Sequence, residues 1–441
     1  MMWLGRLRFI NQFIPIFMWI QAINQRFYYG WVIVAAIMVQ LTFVTGLSFY
    51  NHSIILNALA AQSTFSVESA SLAVSLFFLS GGLAGLGIAK LLSRFDVRSC
   101  ITLGALISGF ALLMLAFVHS AWQLYAVYIL FGVGFSASAL LPATTLLNRW
   151  FHSKRALALS MASTGLSLGG VLVTPLSALL VGKLGLANAV PWLGALFVVG
   201  VIPITWIFLR PSPESLGITS SPYLRYKINN QAVATNSELV ENNQCDLEGV
   251  AFNQALRRRF FWCFSGAYIF LMMAQVGGIA HQYGLARQLL SEEQTALIVA
   301  IIPIASIVGR LIGGWIVEMI SMRAFAAVMM MVQTFALVLL AFGEGVLVLC
   351  VGLALFGSSV GNLLMLQPLL VSEAFGIKDY ARIFALSNVM TSWGTALGPW
   401  IVGFVYGLSR DDYSMAYASI ALAGFIGLLL FISGGKVRQA D

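Results

Sequence analysis

The sequence predicts an all-α integral membrane protein of 12 transmembrane helices, arranged as two six-helix bundles related by a pseudo-two-fold axis along the membrane normal. Three observations lead there. Of 441 residues, 60% are hydrophobic and only 9% charged, with a mean hydropathy of +0.90, whereas a soluble domain carries about 25% charged residues. Apolar runs of the roughly 20 residues needed to cross a hydrocarbon core recur along nearly the whole chain. Parts of the second half also repeat the first at a nearly constant offset.

Residues 1–27 mix three arginines with Trp, Phe and Ile and offer no convincing cleavage site. They read as an interfacial amphipathic segment, not a signal peptide. The apolar runs come next as 28–50, 68–91, 99–118, 122–146, 155–182 and 190–209, then 260–284, 294–317, 324–342, 346–371, 381–406 and 413–434. The first six define an N-terminal bundle, 28–210, and the last six a C-terminal bundle, 259–434. Between them, 211–258 is rich in Ser, Asn, Gln and charge, as a hydrophilic, partly disordered linker would be. A short tail, 435–441, closes the chain.

The net charge of +8 is a matter of topology. With the N-terminus in the cytoplasm, 20 of the 24 basic residues fall in the termini, the linker and the loops on that side, against Lys183, Arg287 and Arg410 opposite. This is the positive-inside pattern, so both termini are expected to be cytoplasmic in a plasma (inner) membrane, with no nucleic-acid partner implied. Cys100, Cys245, Cys263 and Cys350 lack metal or redox spacing.

After the fourth run comes "WFHSKRALALSMASTGLSLGGVLVTP", and after the tenth "AFGIKDYARIFALSNVMTSWGTALGP". An offset of 224 pairs Phe151 with Phe375, Lys154 with Lys378, Gly170 with Gly394 and Pro175 with Pro399; an offset of 225 pairs Glu68 with Glu293 and Arg98 with Arg323. Two parallel repeats imply a cavity at their interface that opens to either side by rocking. The 41 glycines, as in "SGGLAGLG" and "VGRLIGG", suit close helix approach. One chain supplies both bundles, so a monomer suffices.

Two motifs carry a family resemblance. "YYGW" (Tyr28 to Trp31) opens the first span, and "WFHSKRALALSMASTG" (Trp150 to Gly165) comes after the fourth. With these, the chain resembles the major facilitator superfamily and, within it, the monocarboxylate transporter-like branch. The superfamily's loop motif survives in altered form as "GIAKLLSRFDVRS", with Ser93 where an acid is usual, and its repeat copy is "GGWIVEMISMRAF". The resemblance implies that Arg94, Arg98, Lys154, Arg155, Glu318 and Arg323, at cytoplasmic helix ends, latch the bundles together in the outward-facing state; a merely solvated helix end is the alternative reading.

The most telling residue is Arg310, a permanent charge inside "IPIASIVGRLIGGWIVE". Sixteen residues from Gln294 place it about 24 Å down its helix. A charge there must face a wet cavity or a partner, or reach back to the interface. In monocarboxylate transporters the corresponding arginine binds the anion, and a guanidinium holds a carboxylate bidentately. Three readings stand: substrate-carboxylate binding, an interbundle structural contact, or snorkelling. Ser306 occupies the position where proton-coupled members carry an aspartate, one turn before Arg310.

Proton coupling then needs another titratable group. His52, next to Asn51 at the outer end of span one, and His281, at the outer end of its repeat partner, are the candidates. Asn51, His52, His281, Gln275 and Asn362 are also candidates for contact with substrate, although helix-to-helix bonding explains the amides, including Gln367 and Asn388, equally well. The expected activity is secondary transport of a small monocarboxylate or related organic anion, coupled to a proton or a counter-anion. Export of an amphipathic or cationic compound, which normally needs an embedded carboxylate, and solute sensing through the linker are the alternatives. No metal cluster, nucleotide loop or nucleophile motif appears, so neither enzyme activity nor a cofactor is expected.

Overall fold

The structure, a computed structural model, describes residues 28–62, 64–151, 155–216, 249–317, 319–376, 379–410 and 412–435. Twelve long helices or helix pairs run through it. In the first bundle α1 comprises Gly30–Leu47 and His52–Ala60, α2 is Val67–Arg94, and α3 is Val97–Met114. Then α4 is Ala121–Ser138 with Leu140–Trp150, α5 is Arg155–Leu168 and Thr174–Leu184 joined by a π turn at Gly169–Val173, and α6 is Leu186–Phe208. In the second bundle α7 is Arg259–Arg287, α8 is Glu292–Ile298 with Ile301–Ile316, and α9 is Met322–Phe342. The last three, α10 to α12, are Val346–Phe375, Tyr380–Leu408 and Tyr413–Ser433.

Eleven of the twelve are long and apolar enough to cross a membrane. The exception is α11, whose apolar character is diluted by Ser387, Asn388, Thr391, Ser392 and Thr395. Starts are written in the sequence. Ser66, Asp96, Ser321 and Asp412 each accept from a backbone N–H of the first turn, and Ser291 forms a capping box with Gln294. These caps satisfy donors that a helix end leaves open.

Packing repeats with a shift of six helices. α1 lies on α5 and α6 as α7 lies on α11 and α12; α2 lies on α4 as α8 lies on α10; α3 lies on α4 and α6 as α9 lies on α10 and α12. Glycines make the tightest of these contacts. A Cβ on Gly165 of α5 would stand 2.1 Å from the Met38 carbonyl oxygen of α1, and one on Gly394 of α11 would stand 1.9 Å from that of Ile269 on α7. Backbones approach this closely only where no side chain intervenes.

The bundles meet along α2 against α11, the second half of α1 against α7, and α5 against α8. We call the side where α1 starts and α12 ends the termini side, and the opposite side the far side. Described hydrogen bonds between bundles join Ser71 to His281, Ser75 to Trp400, and Ser167 to Ser306 and Arg310. Close glycine approaches add Gly403 against Ser71 and Gly82 against Ser392. Among the described residues these contacts run from the far ends to mid-depth and close the far side, and no hydrogen bond or close glycine approach between the bundles is described toward the termini side.

Gly394→Ala is expected to push α7 and α11 apart and to destabilise by about 1–3 kcal/mol, whereas Gly407→Ala, whose Cβ would meet nothing within 4 Å, is the neutral control. Thermal unfolding in detergent separates the two.

Candidate functional site

The site builds from α8 outward. Gly309 and Gly313 press α8 on α10, where Gly357 and Gly361 return the contact: a Cβ on Gly309 would lie 2.8 Å from the Ser358 Cα, and one on Gly361 would lie 2.3 Å from the Ser306 carbonyl oxygen. Asn362 reinforces this seam, its Nδ2 donating to the Gly309 carbonyl at 3.0 Å and the Ser358 carbonyl at 2.9 Å, while its Oδ1 is buried without a partner. With that face committed, Arg310 projects from α8 toward α5.

Helical side chains lean toward the helix N-terminus, which for α8 lies on the far side. The Arg310 guanidinium accordingly turns back to mid-membrane instead of snorkelling to the nearer termini-side interface. Its Nη2 donates to Ser167 Oγ of α5 at 2.6 Å and to Ser306 Oγ at 3.1 Å, and the two hydroxyl oxygens are 3.3 Å apart. Its Nε is buried without a partner. Among the described residues no carboxylate comes within ion-pair distance of it; the ion pair described is Arg98 with Asp96.

The π turn explains how α5 reaches α8. Gly169 sits against the Thr42 carbonyl, and a Cβ on Gly170 would lie 2.7 Å from Pro303 of α8 and 3.0 Å from the Tyr50 ring. The extra residue in the turn rephases the helix beyond Ser167. Ser167 and Tyr50 were not singled out from the sequence, because a serine or tyrosine in a span has no signature until the partner helix is known.

Other expected site residues lie elsewhere. His52 is enclosed by Phe77, Phe78, Tyr128 and Phe131, with ring centroids at 4.2, 5.7, 5.6 and 5.8 Å, and neither ring nitrogen has a partner. It sits inside the first bundle, not on the cavity. Asn51 accepts from Ser177 Oγ at 2.5 Å, joining α1 to α5. Gln275 donates to Gln333 Oε1 at 3.2 Å, joining α7 to α9, and Gln367 donates to Thr391 Oγ1 at 3.1 Å. For these amides helix-to-helix bonding is what the geometry presents.

His281 is at the bundle interface, but at the far-side seal. Its Nε2 is 3.1 Å from the Pro399 carbonyl oxygen and 3.2 Å from Ser71 Oγ, and its Nδ1 is 3.4 Å from the Tyr413 hydroxyl. A carbonyl can only accept, so in the neutral ring Nε2 carries the hydrogen and Nδ1 accepts from Tyr413. One imidazole thereby ties α7 to α2, α11 and α12.

Of the gating candidates at the termini-side ends that the structure describes, Arg98 and Arg323 bind within their own bundles. Arg98 binds Asp96 Oδ2 through Nε at 3.0 Å and Nη2 at 2.7 Å and lies over Trp206. Arg323 donates to the carbonyls of Phe431 and Ile432 at 3.4 and 3.3 Å, and Arg94 is exposed. Lys154, Glu318 and the Arg155 side chain fall outside the described residues. Burial pushes the Asp96 carboxyl up, but the hydrogen bonds and charge of Arg98, with the charge of Arg149, outweigh it and hold it below its usual value.

The two sequence signatures prove to be one joint. Tyr28 donates from its hydroxyl to the Trp150 carbonyl and packs edge-on to Phe151 at 5.5 Å; Trp31 meets Phe151 at 5.2 Å; Tyr29 donates to the Phe208 carbonyl at 2.9 Å. They fasten α1 to the ends of α4 and α6 and lie away from Arg310.

Residues 38–399 match the Major Facilitator Superfamily. The chain belongs to that superfamily. It is a multi-pass membrane transport protein. Among its relatives is a probable hexose phosphate transport protein of Chlamydia muridarum, 22% identical over 317 residues, a match that covers 66% of each chain. Another is monocarboxylate transporter 14 of Mus musculus, 27% identical over 185 residues, covering 38% of this chain and 35% of that one. Among solved structures, a bacterial homolog of the human lysosomal transporter Spinster, inward-facing and occupied, superposes with a TM-score of 0.67 at 16% identity over 92% of this chain and 97% of that one. This superfamily fold is the one anticipated, two repeat-related bundles included.

Two outcomes are expected. In a background with the cysteines replaced by Ser, a Cys at position 75 should react with a membrane-impermeant thiol reagent several-fold faster once His281→Ala loosens the far-side seal. Asp96→Ala should lower stability by about 1 kcal/mol at neutral pH through the lost cap. Because the folded-state carboxyl is depressed, its contribution is present above the unfolded value of about 3.9 and lost as pH falls through the folded one; the difference between parent and variant in thermal unfolding should shrink accordingly.

Proposed function

We propose that this protein is a secondary carrier that moves a small monocarboxylate or related organic anion by alternating access, using a proton or a counter-anion as driving partner. The observation that carries this reading is Arg310: a guanidinium at mid-membrane, between the bundles, whose described partners are two neutral hydroxyls. A fixed cation so placed attracts an anion strongly, because the surrounding dielectric is low and the site opens to water on one side.

A planar fork suits a carboxylate, which binds to Nε and Nη2 together after displacing one serine. Similarity to a monocarboxylate transporter and to a probable hexose phosphate transport protein supports an organic anion as cargo. With both termini in the cytoplasm of a plasma (inner) membrane, as the basic residues predict, the open side faces inward and the His281 seal closes the outside. His281 is the better placed of the two histidines to exchange a proton with the outer medium, since opening the seal exposes it while His52 stays caged.

The test is uptake of labelled acetate, lactate, pyruvate and succinate into proteoliposomes preloaded with the same unlabelled acids, with and without a pH gradient. Saturable uptake of at least one is expected, and Arg310→Lys should reduce kcat/KM for it by about 10–100-fold. Unchanged uptake in the variant would make Arg310 a structural residue.

A further inference from the structure

We infer that this carrier is an obligatory anion exchanger, whose empty form does not reorient. The inference rests on Arg310 being the counterion of the cargo and extends that reading to the step in which the site closes.

In the conformation described, the charge of Arg310 is met by the Ser167 and Ser306 hydroxyls, and the side chain remains part-exposed. Hydroxyls lend dipoles and leave the net charge in place. Among the described residues, the acidic ones on the transmembrane helices stand at helix ends: Glu68, Glu292 and Glu293 on the far side, Glu373 on the termini side. The histidines offer no remedy, since protonating either adds positive charge.

To face the other side, the bundles must close over Arg310 before they part on the far side. Closure with the site empty would remove the hydrating water and leave one uncompensated cation between two apolar cores. Stranding a charge in that way costs several kcal/mol even after relaxation. A bound carboxylate cancels the charge and takes up Nε–H, the donor now buried without a partner, so the loaded site can close. Both directions of reorientation then need an anion, and flux becomes a one-for-one exchange.

Ser306 offers an independent handle on the same step. It stands one turn before Arg310 on the same helix and already touches the guanidinium, so an acidic side chain at that position would be a resident counterion. Ser306→Asp should free the empty carrier to return.

The experiment measures initial uptake of labelled acetate, lactate, pyruvate and succinate into proteoliposomes containing either a zwitterionic buffer alone or the same unlabelled acids. Preloading is expected to accelerate uptake by the parent at least about tenfold, and the ratio should fall toward one in Ser306→Asp. Equal rates in empty and preloaded parent vesicles would overturn exchange while leaving carboxylate transport standing. No uptake under any loading, with no Arg310-dependent thermal stabilisation by the four acids, would overturn the carboxylate reading itself and exchange with it. The parent comparison needs no variant, so poor folding of Ser306→Asp leaves it decisive.

Discussion

The architecture turns on one constraint, that a guanidinium at mid-membrane must be kept in contact with something polar. The protein meets it by geometry and not by pairing. Gly309 and Gly313 let α8 bed into α10 so closely that the opposite face of α8, with Arg310, is left to the bundle interface. The π turn and Gly170 bring α5 near enough for Ser167 to reach across. Each device would be pointless if Arg310 pointed at lipid or carried its own aspartate.

The rest of the seam divides its work by depth. On the far side, α2 and α11 meet backbone to side chain at Gly403 and Ser71 and at Trp400 and Ser75, with His281 bound to both helices. Polar contacts of this kind are modest in strength, about 0.6 kcal/mol on average between membrane helices. A seal made of several such contacts is firm enough to close and weak enough to reopen, as a rocking mechanism requires. The polar residues of α11 divide between the two surfaces: Thr391 and Ser387 meet Gln367 and Ser265 inside the second bundle, while Ser392 stands on the seam against Gly82.

How much of this was legible in the sequence depended on the strength of the physical signal. Span positions and the repeat could be read because hydropathy and offset are local quantities. Arg310 could be read because a charge in an apolar run admits few explanations. The orientations of Asn51, His52 and Gln275 could not, since a helix that is apolar all round gives no phase from which to tell cavity from bundle interior. His52 looked like a cavity residue and sits among aromatic rings. Ser167 was passed over because its importance comes from α8, 143 residues away along the chain, and from a π turn that no residue pattern announces.

The fate of the signature motifs separates two kinds of inference. "YYGW" and the Trp150–Phe151 pair identify the branch by resemblance, yet they pack on each other at the termini-side end of the first bundle, where they fix helix ends and touch no part of the candidate site. A motif that fastens helices testifies to the scaffold on which alternating access is built. The identity of the cargo has to come from groups that meet it, and in the function proposed above those are Arg310, Ser167 and Ser306. A guanidinium beside two hydroxyls suits an anion with a planar, bidentate head, and the lack of a carboxylate beside it among the described residues is what the exchange proposal rests on. In this protein the case for fold and the case for function therefore rest on different residues, and either could change without the other.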